Sequence, residues 1–110
     1  MGLQIFGTPR CMGTRKAERF FKERGRTFQL IDLSDKGISP GELRSVAAAV
    51  GLDALPDRSG RLWKEGGLQH MDFDLTETLL ENPLLLRTPI VRDGARAVVG
   101  VDAIAWKCFL

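Results

Sequence analysis

The apolar positions of the chain change period several times, and each change marks an element. Leu3-Gln4-Ile5-Phe6 is a short apolar run closed by Gly7-Thr8-Pro9, the pattern of a buried strand feeding a turn. Ala17, Phe20 and Phe21 then fall at i, i+3 and i+4, with Gly25 as a C′ residue. This predicts a helix from about Met12 to Arg24 with a charged outer face. Thr27 to Leu33 resumes a strand pattern, with Phe28 and Leu30 on its apolar side. Strand, helix and strand together have the size of a βαβ unit.

Ser39-Pro40-Gly41-Glu42 is a capping box: Ser39 can accept from the N3 amide, Glu42 can reach back, and Pro40 suits N1. Leu43, Val46, Ala47 and Val50 continue it as an apolar stripe that Gly51 ends. A further helix starts at Asp74, faces Leu75, Leu79 and Leu80 inward, and stops at Asn82-Pro83. The Gly- and charge-rich stretch from Asp57 to Gly67 carries no readable period. Ile90-Val91-Arg92, Asp93-Gly94 and Ala95 to Val99 read as a hairpin, because Asp-Gly suits the primed turns that match strand twist. Asp102 can cap a last helix carrying Ile104, Trp106, Cys108 and Phe109. The order β-α-β, helical insert, β-β-α predicts an α/β fold: a four-stranded mixed sheet covered by helices, in one domain over residues 1–110 with the insert at about 38–84.

Composition narrows the function classes. The chain of 110 residues is 44% hydrophobic and 27% charged, an ordinary globular balance, and its net charge of +2 does not predict bulk binding to nucleic acid or membranes. The positives at Arg15, Lys16, Arg19, Lys22, Arg24 and Arg26 alternate with Glu18 and Glu23, which fits a solvated helix face. No apolar stretch approaches the ~18 residues of a membrane span. The opening residues lack a basic region followed by an apolar run, so no export signal is expected and the cytoplasm is the default compartment. Two cysteines make no disulfide framework. His70, the one histidine, has no cluster at ligand spacing, which argues against zinc or iron. Trp63, Trp106, Phe20 and Phe21 read as packing residues, and Cys108, four residues after Ile104, as a small buried hydrophobe.

Cys11 is the residue with chemistry. It follows the Gly7-Thr8-Pro9-Arg10 turn and precedes the first helix, where unpaired amides and the helix dipole stabilise a thiolate. Arg10 and Arg15 add positive charge, and the same amides can seat an oxyanion. The alternative is a small residue filling a tight strand-to-helix corner. Pro89 opens an apolar strand, which is a tolerated place for proline; position alone leaves the isomer of the Thr88–Pro89 bond open.

Three segments resemble the glutaredoxin-coupled arsenate reductase (ArsC) family, which also holds the Spx-type and YffB-like proteins: Ile5-Phe6-Gly7-Thr8-Pro9-Arg10-Cys11, Cys11-Met12-Gly13-Thr14-Arg15-Lys16-Ala17 and Leu85-Leu86-Arg87-Thr88-Pro89-Ile90-Val91. Asp57-Arg58-Ser59 and Trp63-Lys64 are weaker echoes. The resemblance implies a thioredoxin-like fold with an inserted helical subdomain and a cis proline, Pro89, facing the cysteine. It implies a thiol oxidoreductase in which Cys11 is the nucleophile, glutathione a co-substrate and glutathione or glutaredoxin the reducing partner, with no bound cofactor.

The departures from the family pattern are as informative. Thr14 stands where Spx-type regulators carry the second cysteine of C-x-x-C. Of three arginines expected to clamp an anion, Arg58 falls near the first position. Arg87 is one residue before the second, where Thr88 stands. Arg96 lies three residues from the third, at Val99. Arg15, Arg58, Arg87 and Arg96 are therefore the candidate anion-binding residues. A one-residue shift in an extended segment turns a side chain to the other face, so arsenate itself is a doubtful substrate. The readings that follow are a single-cysteine thiol oxidoreductase, an Spx-like regulator binding the RNA polymerase α subunit, and a family member that makes no chemical turnover.

Overall fold

A computed structural model describes residues 2–67 and 73–110. His70 lies outside the described residues. Strand β1, Leu3–Gly7, leads into helix α1, Met12–Glu23, and strand β2, Gln29–Asp32. Helix α2, Pro40–Val50, a 3-10 turn at Leu52–Ala54, α3, Arg61–Glu65, α4, Leu75–Glu81, and a second 3-10 turn at Pro83–Leu85 make up the insert. Strands β3, Ile90–Asp93, and β4, Arg96–Val99, precede α5, Ala103–Trp106, and a closing 3-10 turn at Lys107–Phe109. The sheet order is β2-β1-β3-β4, with β1 parallel to β2 and antiparallel to β3, and β3 antiparallel to β4. No helix among the described residues is long and apolar enough to cross a membrane.

The sheet is covered on both faces, which is why its central strands are apolar almost throughout. Leu3 and Ile5 of β1 and Val91 of β3 pack with Ala17, Phe20 and Phe21 of α1 and with Trp106 and Phe109. Phe6 and Ile90 face the other way, into a second core with Ile31, Leu43, Val46, Leu55, Trp63, Leu79 and Leu85. In the first core the Phe20 and Phe21 rings meet edge to face at 5.0 Å, and Phe20 meets Trp106 at 5.4 Å. Such pairs add about 0.5–1.5 kcal/mol each beyond area burial. The insert is tied to the chain before β3 by backbone bonds from Asp57 N to Leu85 O, 2.8 Å, and Arg87 N to Leu55 O, 2.7 Å.

The capping box is present: Ser39 Oγ accepts from the Glu42 amide and Glu42 Oε1 accepts from the Ser39 amide. Asp74 and Asp102 likewise cap α4 and α5 through the amides of Glu77 and Ala105. Four expectations differ from the structure. Leu30 is exposed, because β2 is an edge strand whose inward positions are Ile31 and Leu33. Register pairs Asp93 with Arg96, so the hairpin loop is Gly94-Ala95, with Gly94 at φ 62° in the first central position. The unread stretch holds α3, a short helix whose one buried residue is Trp63. Cys108 is exposed rather than buried. Trp106 and Phe109, three residues apart, take the inward face of the last segment; Ile104 and Cys108 share the outward one.

Removing the α2 cap isolates one of these local contributions. Ser39→Ala is expected to lower unfolding free energy by about 1 kcal/mol, read from the urea midpoint at an unchanged slope.

Candidate functional site

The sulfur of Cys11 sits where three pieces of chain meet. β1 ends at Gly7, and the turn that follows closes with Cys11 N bonded to Thr8 O at 3.1 Å. Cys11 is the N-cap of α1, with extended backbone (φ −78°, ψ 117°), and its carbonyl accepts from Arg15 N. The first amides of a helix have no partner within it, and those of Gly13 and Thr14 favour the thiolate at this position without completing a cap hydrogen bond to the sulfur. From the other side comes the segment before β3. The Thr88–Pro89 peptide bond is cis, and Thr88 Oγ1 donates to Cys11 Sγ at 2.9 Å.

These groups decide the ionisation of the thiol. Burial pushes its pKa up; the hydroxyls of Thr14 and Thr88 and the amides of Thr14 and Gly13 pull it down, and the net position is below the ordinary thiol range. Thr14 is 1% exposed, and its hydroxyl completes no conventional hydrogen bond among the described residues. A thiolate at Cys11 is the acceptor that satisfies it. Cys11 itself is half-buried, so a reactant can reach the sulfur.

The candidate arginines are dispersed. Arg15 donates from Nε to Pro9 O at 2.9 Å, which fastens it along the turn before Cys11. Arg58 bonds to Asp53 O at 2.7 Å, pairs with the Asp53 carboxylate and lies over the Trp63 ring. Arg87 reaches toward Ala54 O, and its guanidinium packs against Gly100, 3.2 Å from where a Cβ would stand. Arg58 and Arg87 thus both lean on residues 53–54 of the insert. Arg96 bonds to Cys108 O at 3.1 Å beside the hairpin loop. It is three residues, about 10 Å of strand, from Val99, which pairs with Ile90 next to Pro89. No pair of these guanidiniums shares a common acceptor among the described residues.

Two participants escaped sequence reasoning. Thr88 registers in the sequence as a missing arginine, yet its hydroxyl is the donor closest to the sulfur. Gly13 looks like an ordinary helix glycine, yet a Cβ there would stand 2.8 Å from Val101 Cγ2 and 2.9 Å from Pro89 Cδ. The signal available for Thr88 was its position immediately before the proline. For Gly13 there was none, because the contact joins segments far apart in the chain. A cleft of about 350 Å3 lies at the other end of the sheet, lined by Gln4, Arg26, Gln29 and Arg92. Its arginines are held by Asp93 and Phe109 O and by Gln4 and Ser45.

The architecture and the cysteine at the head of its first helix define a thioredoxin-like α/β protein with an inserted helical segment. The ArsC family model matches residues 6–109, and the chain belongs to that family. It is 29% identical over 107 residues to the Bacillus subtilis protein YusI, covering 91% of each chain. It is 29% identical over 105 residues to the global transcriptional regulator Spx 2 of Oceanobacillus iheyensis, covering 91% of this chain and 77% of that one. Its fold superposes on an arsenate reductase from Vibrio cholerae with a TM-score of 0.85 at 23% identity, over 100% and 98% of the two chains.

Alkylation rate against pH reads the thiol directly, in a Cys108→Ser background because Cys108 is exposed. The inflection is expected below the free-thiol value of about 8.5, and Thr88→Val is expected to raise it by roughly one pH unit. The same ionisation links to folding. With the folded-state pKa the lower one, its stabilisation is complete above the unfolded pKa and is lost as pH falls through the folded value. The stability advantage over Cys11→Ser should therefore grow as pH rises through that window, in urea titrations at several pH values. Gly13→Ala should slow alkylation at fixed pH at least several-fold, because Val101 or Pro89 must move; an unchanged rate would count against the tight seat.

Proposed function

We propose that the protein is a thiol oxidoreductase with Cys11 as its single nucleophile and glutathione, directly or through a glutaredoxin, as its reductant. The observation that carries the reading is a half-buried sulfur at the head of α1 that accepts from the Thr88 hydroxyl beside the cis proline, in surroundings that favour its thiolate. Family membership supports the same reading. With Thr14 in place of a second cysteine, a single-thiol cycle follows. The Cys11 thiolate attacks the glutathione sulfur of a mixed disulfide R–S–S–G. The S–S bond breaks, RS⁻ leaves and takes a proton, and Cys11–S–S–G remains. A glutathione thiolate then attacks the glutathione sulfur of that intermediate, regenerating the Cys11 thiolate and forming GSSG. The net exchange is R–S–S–G + GSH → RSH + GSSG: one glutathione is consumed, and the other half of GSSG comes from the substrate.

A neutral disulfide suits this site better than a highly charged oxyanion. The hydrogen-bond donor on the sulfur is the uncharged Thr88 hydroxyl, while Arg58, Arg87 and Arg96 lean on backbone carbonyls elsewhere. Planar bidentate donors are what discriminates a tetrahedral anion. The reducing cytoplasm, where free thiols such as Cys11 and Cys108 persist, is the compartment this chemistry needs.

A second reading, an Spx-like regulator that binds the RNA polymerase α subunit, is supported by the relative Spx 2. Thr14 weighs against a redox-switched form of it, because no C-x-x-C disulfide can form.

Turnover of a glutathionylated peptide, coupled through glutathione reductase to NADPH oxidation, tests the primary reading. Activity is expected in wild type and background rates in Cys11→Ser, with arsenate turned over at least tenfold more slowly than the disulfide. Disulfide turnover surviving Cys11→Ser would refute the assignment. Retention of RNA polymerase α subunit by the immobilised protein, with no turnover, would favour the regulator.

A further inference from the structure

Leu30, Leu62, Leu84 and Leu110 are exposed singly along the chain, but three other exposed apolar side chains lie on the segments next to Cys11 and Gly13. Ile104, Met12 and Val101 are 81%, 73% and 53% exposed, the three highest values among the large exposed apolar residues except for Leu110 at 59%, and they lie on the segment that starts at Cys11 and on the one that packs against Gly13. Met12 follows Cys11 directly. Val101 packs on Gly13 beside Pro89. Ile104 lies three residues beyond Val101, on the outward face of α5. Single exposed apolar residues are ordinary, but several gathered around a reactive group mark a recognition surface. The charges bordering this patch are basic. Arg10 and Arg15 flank Cys11, with Arg15 fastened to Pro9 O, and Lys107 follows Ile104 by three residues on the same outward face. Asp102, at the head of α5, has its carboxylate engaged with the Ala105 amide.

We infer that Met12, Val101 and Ile104 form a docking platform for a protein substrate whose disulfide is flanked by apolar and acidic residues. The inference rests on the proposed chemistry of Cys11 and names the substrate class it serves. An apolar side chain of the partner covers Met12 and Ile104, and carboxylates meet Arg10, Arg15 and Lys107. The partner's disulfide then lies over the half-buried sulfur. With a docked partner the Cys11 thiolate attacks the partner's sulfur instead of glutathione's. The Cys11–partner disulfide forms, the original S–S bond breaks and the other sulfur leaves as a thiolate. A glutathione thiolate then attacks the partner's sulfur and releases the Cys11 thiolate.

Two synthetic peptides test it, each with one cysteine held as a mixed disulfide with 2-nitro-5-thiobenzoate. In one the cysteine is flanked by leucine and aspartate, in the other by leucine and lysine. Single-turnover release of the coloured thiolate is followed in the Cys108→Ser background, with hydroxyethyl disulfide as a small, uncharged comparison. The acidic peptide is expected to react about tenfold faster than the basic one, with the ratio shrinking as salt rises. Met12→Gln/Ile104→Gln should slow both peptides, and Lys107→Glu should reduce or reverse their ratio. All three residues are exposed, so folding is not at risk. Equal peptide rates, a preference for lysine, or ratios that ignore these substitutions would overturn the platform while leaving Cys11 as a nucleophile for small disulfides. Failure of every disulfide, the small one included, would overturn both readings.

Discussion

The site depends on how closely α1 is allowed to approach the sheet. Thr14 sits so tightly over Gly7 that any side chain at Gly7 would overlap it, and Gly13 is sandwiched between Val101 and Pro89. Two positions without a Cβ let the first turn of the helix settle into the end of β1 and against the segment entering β3. Only then does the Thr88 hydroxyl reach the sulfur at the head of the helix. A helix terminus offers amides wherever it lies; here the close fit adds the Thr88 hydroxyl, and the pKa of the partly buried thiol falls below its ordinary value.

The two cores serve that geometry from opposite faces. Phe20, Phe21, Trp106 and Phe109 hold α1 down along its length, so its N-terminus is aimed rather than free to pivot. The insert fills the other face and, through the backbone bonds of Leu55 and Asp57, steadies the extended segment from which Thr88 and Pro89 project. The helical insert thus contributes to the site without placing a side chain on the sulfur among the described residues. Arg58, the insert's candidate anion ligand, is engaged with Asp53 and Trp63.

The alternation of side chains along that extended segment shapes what the site can recognise. Arg87 and Thr88 point to different surroundings, one to Gly100 and Ala54, the other to Cys11. A guanidinium facing the thiol would favour anions; a hydroxyl there stabilises the thiolate without adding charge. The family likeness to an arsenate reductase fold and to an Spx regulator is therefore compatible with a site of different selectivity.

Much of the architecture was legible in the residues. Periodicity and caps located β1, α1, α2, α4 and the hairpin, because each is stabilised by neighbours in sequence: Ser39 with Glu42, Asp74 with Glu77, Asp102 with Ala105. Cys11 was legible for the same reason, as the residue that begins a helix. The face of β2, the exposure of Cys108 and the helix at Arg61–Glu65 were not, because each depends on what packs against a short segment whose own pattern is ambiguous. The sequence by itself determined which residues could carry chemistry and in what order the elements run. The tertiary structure alone decided which of them meet, because bringing Thr88 to Cys11 and sending Arg96 to Cys108 are matters of strand register and glycine clearance between segments remote in the chain.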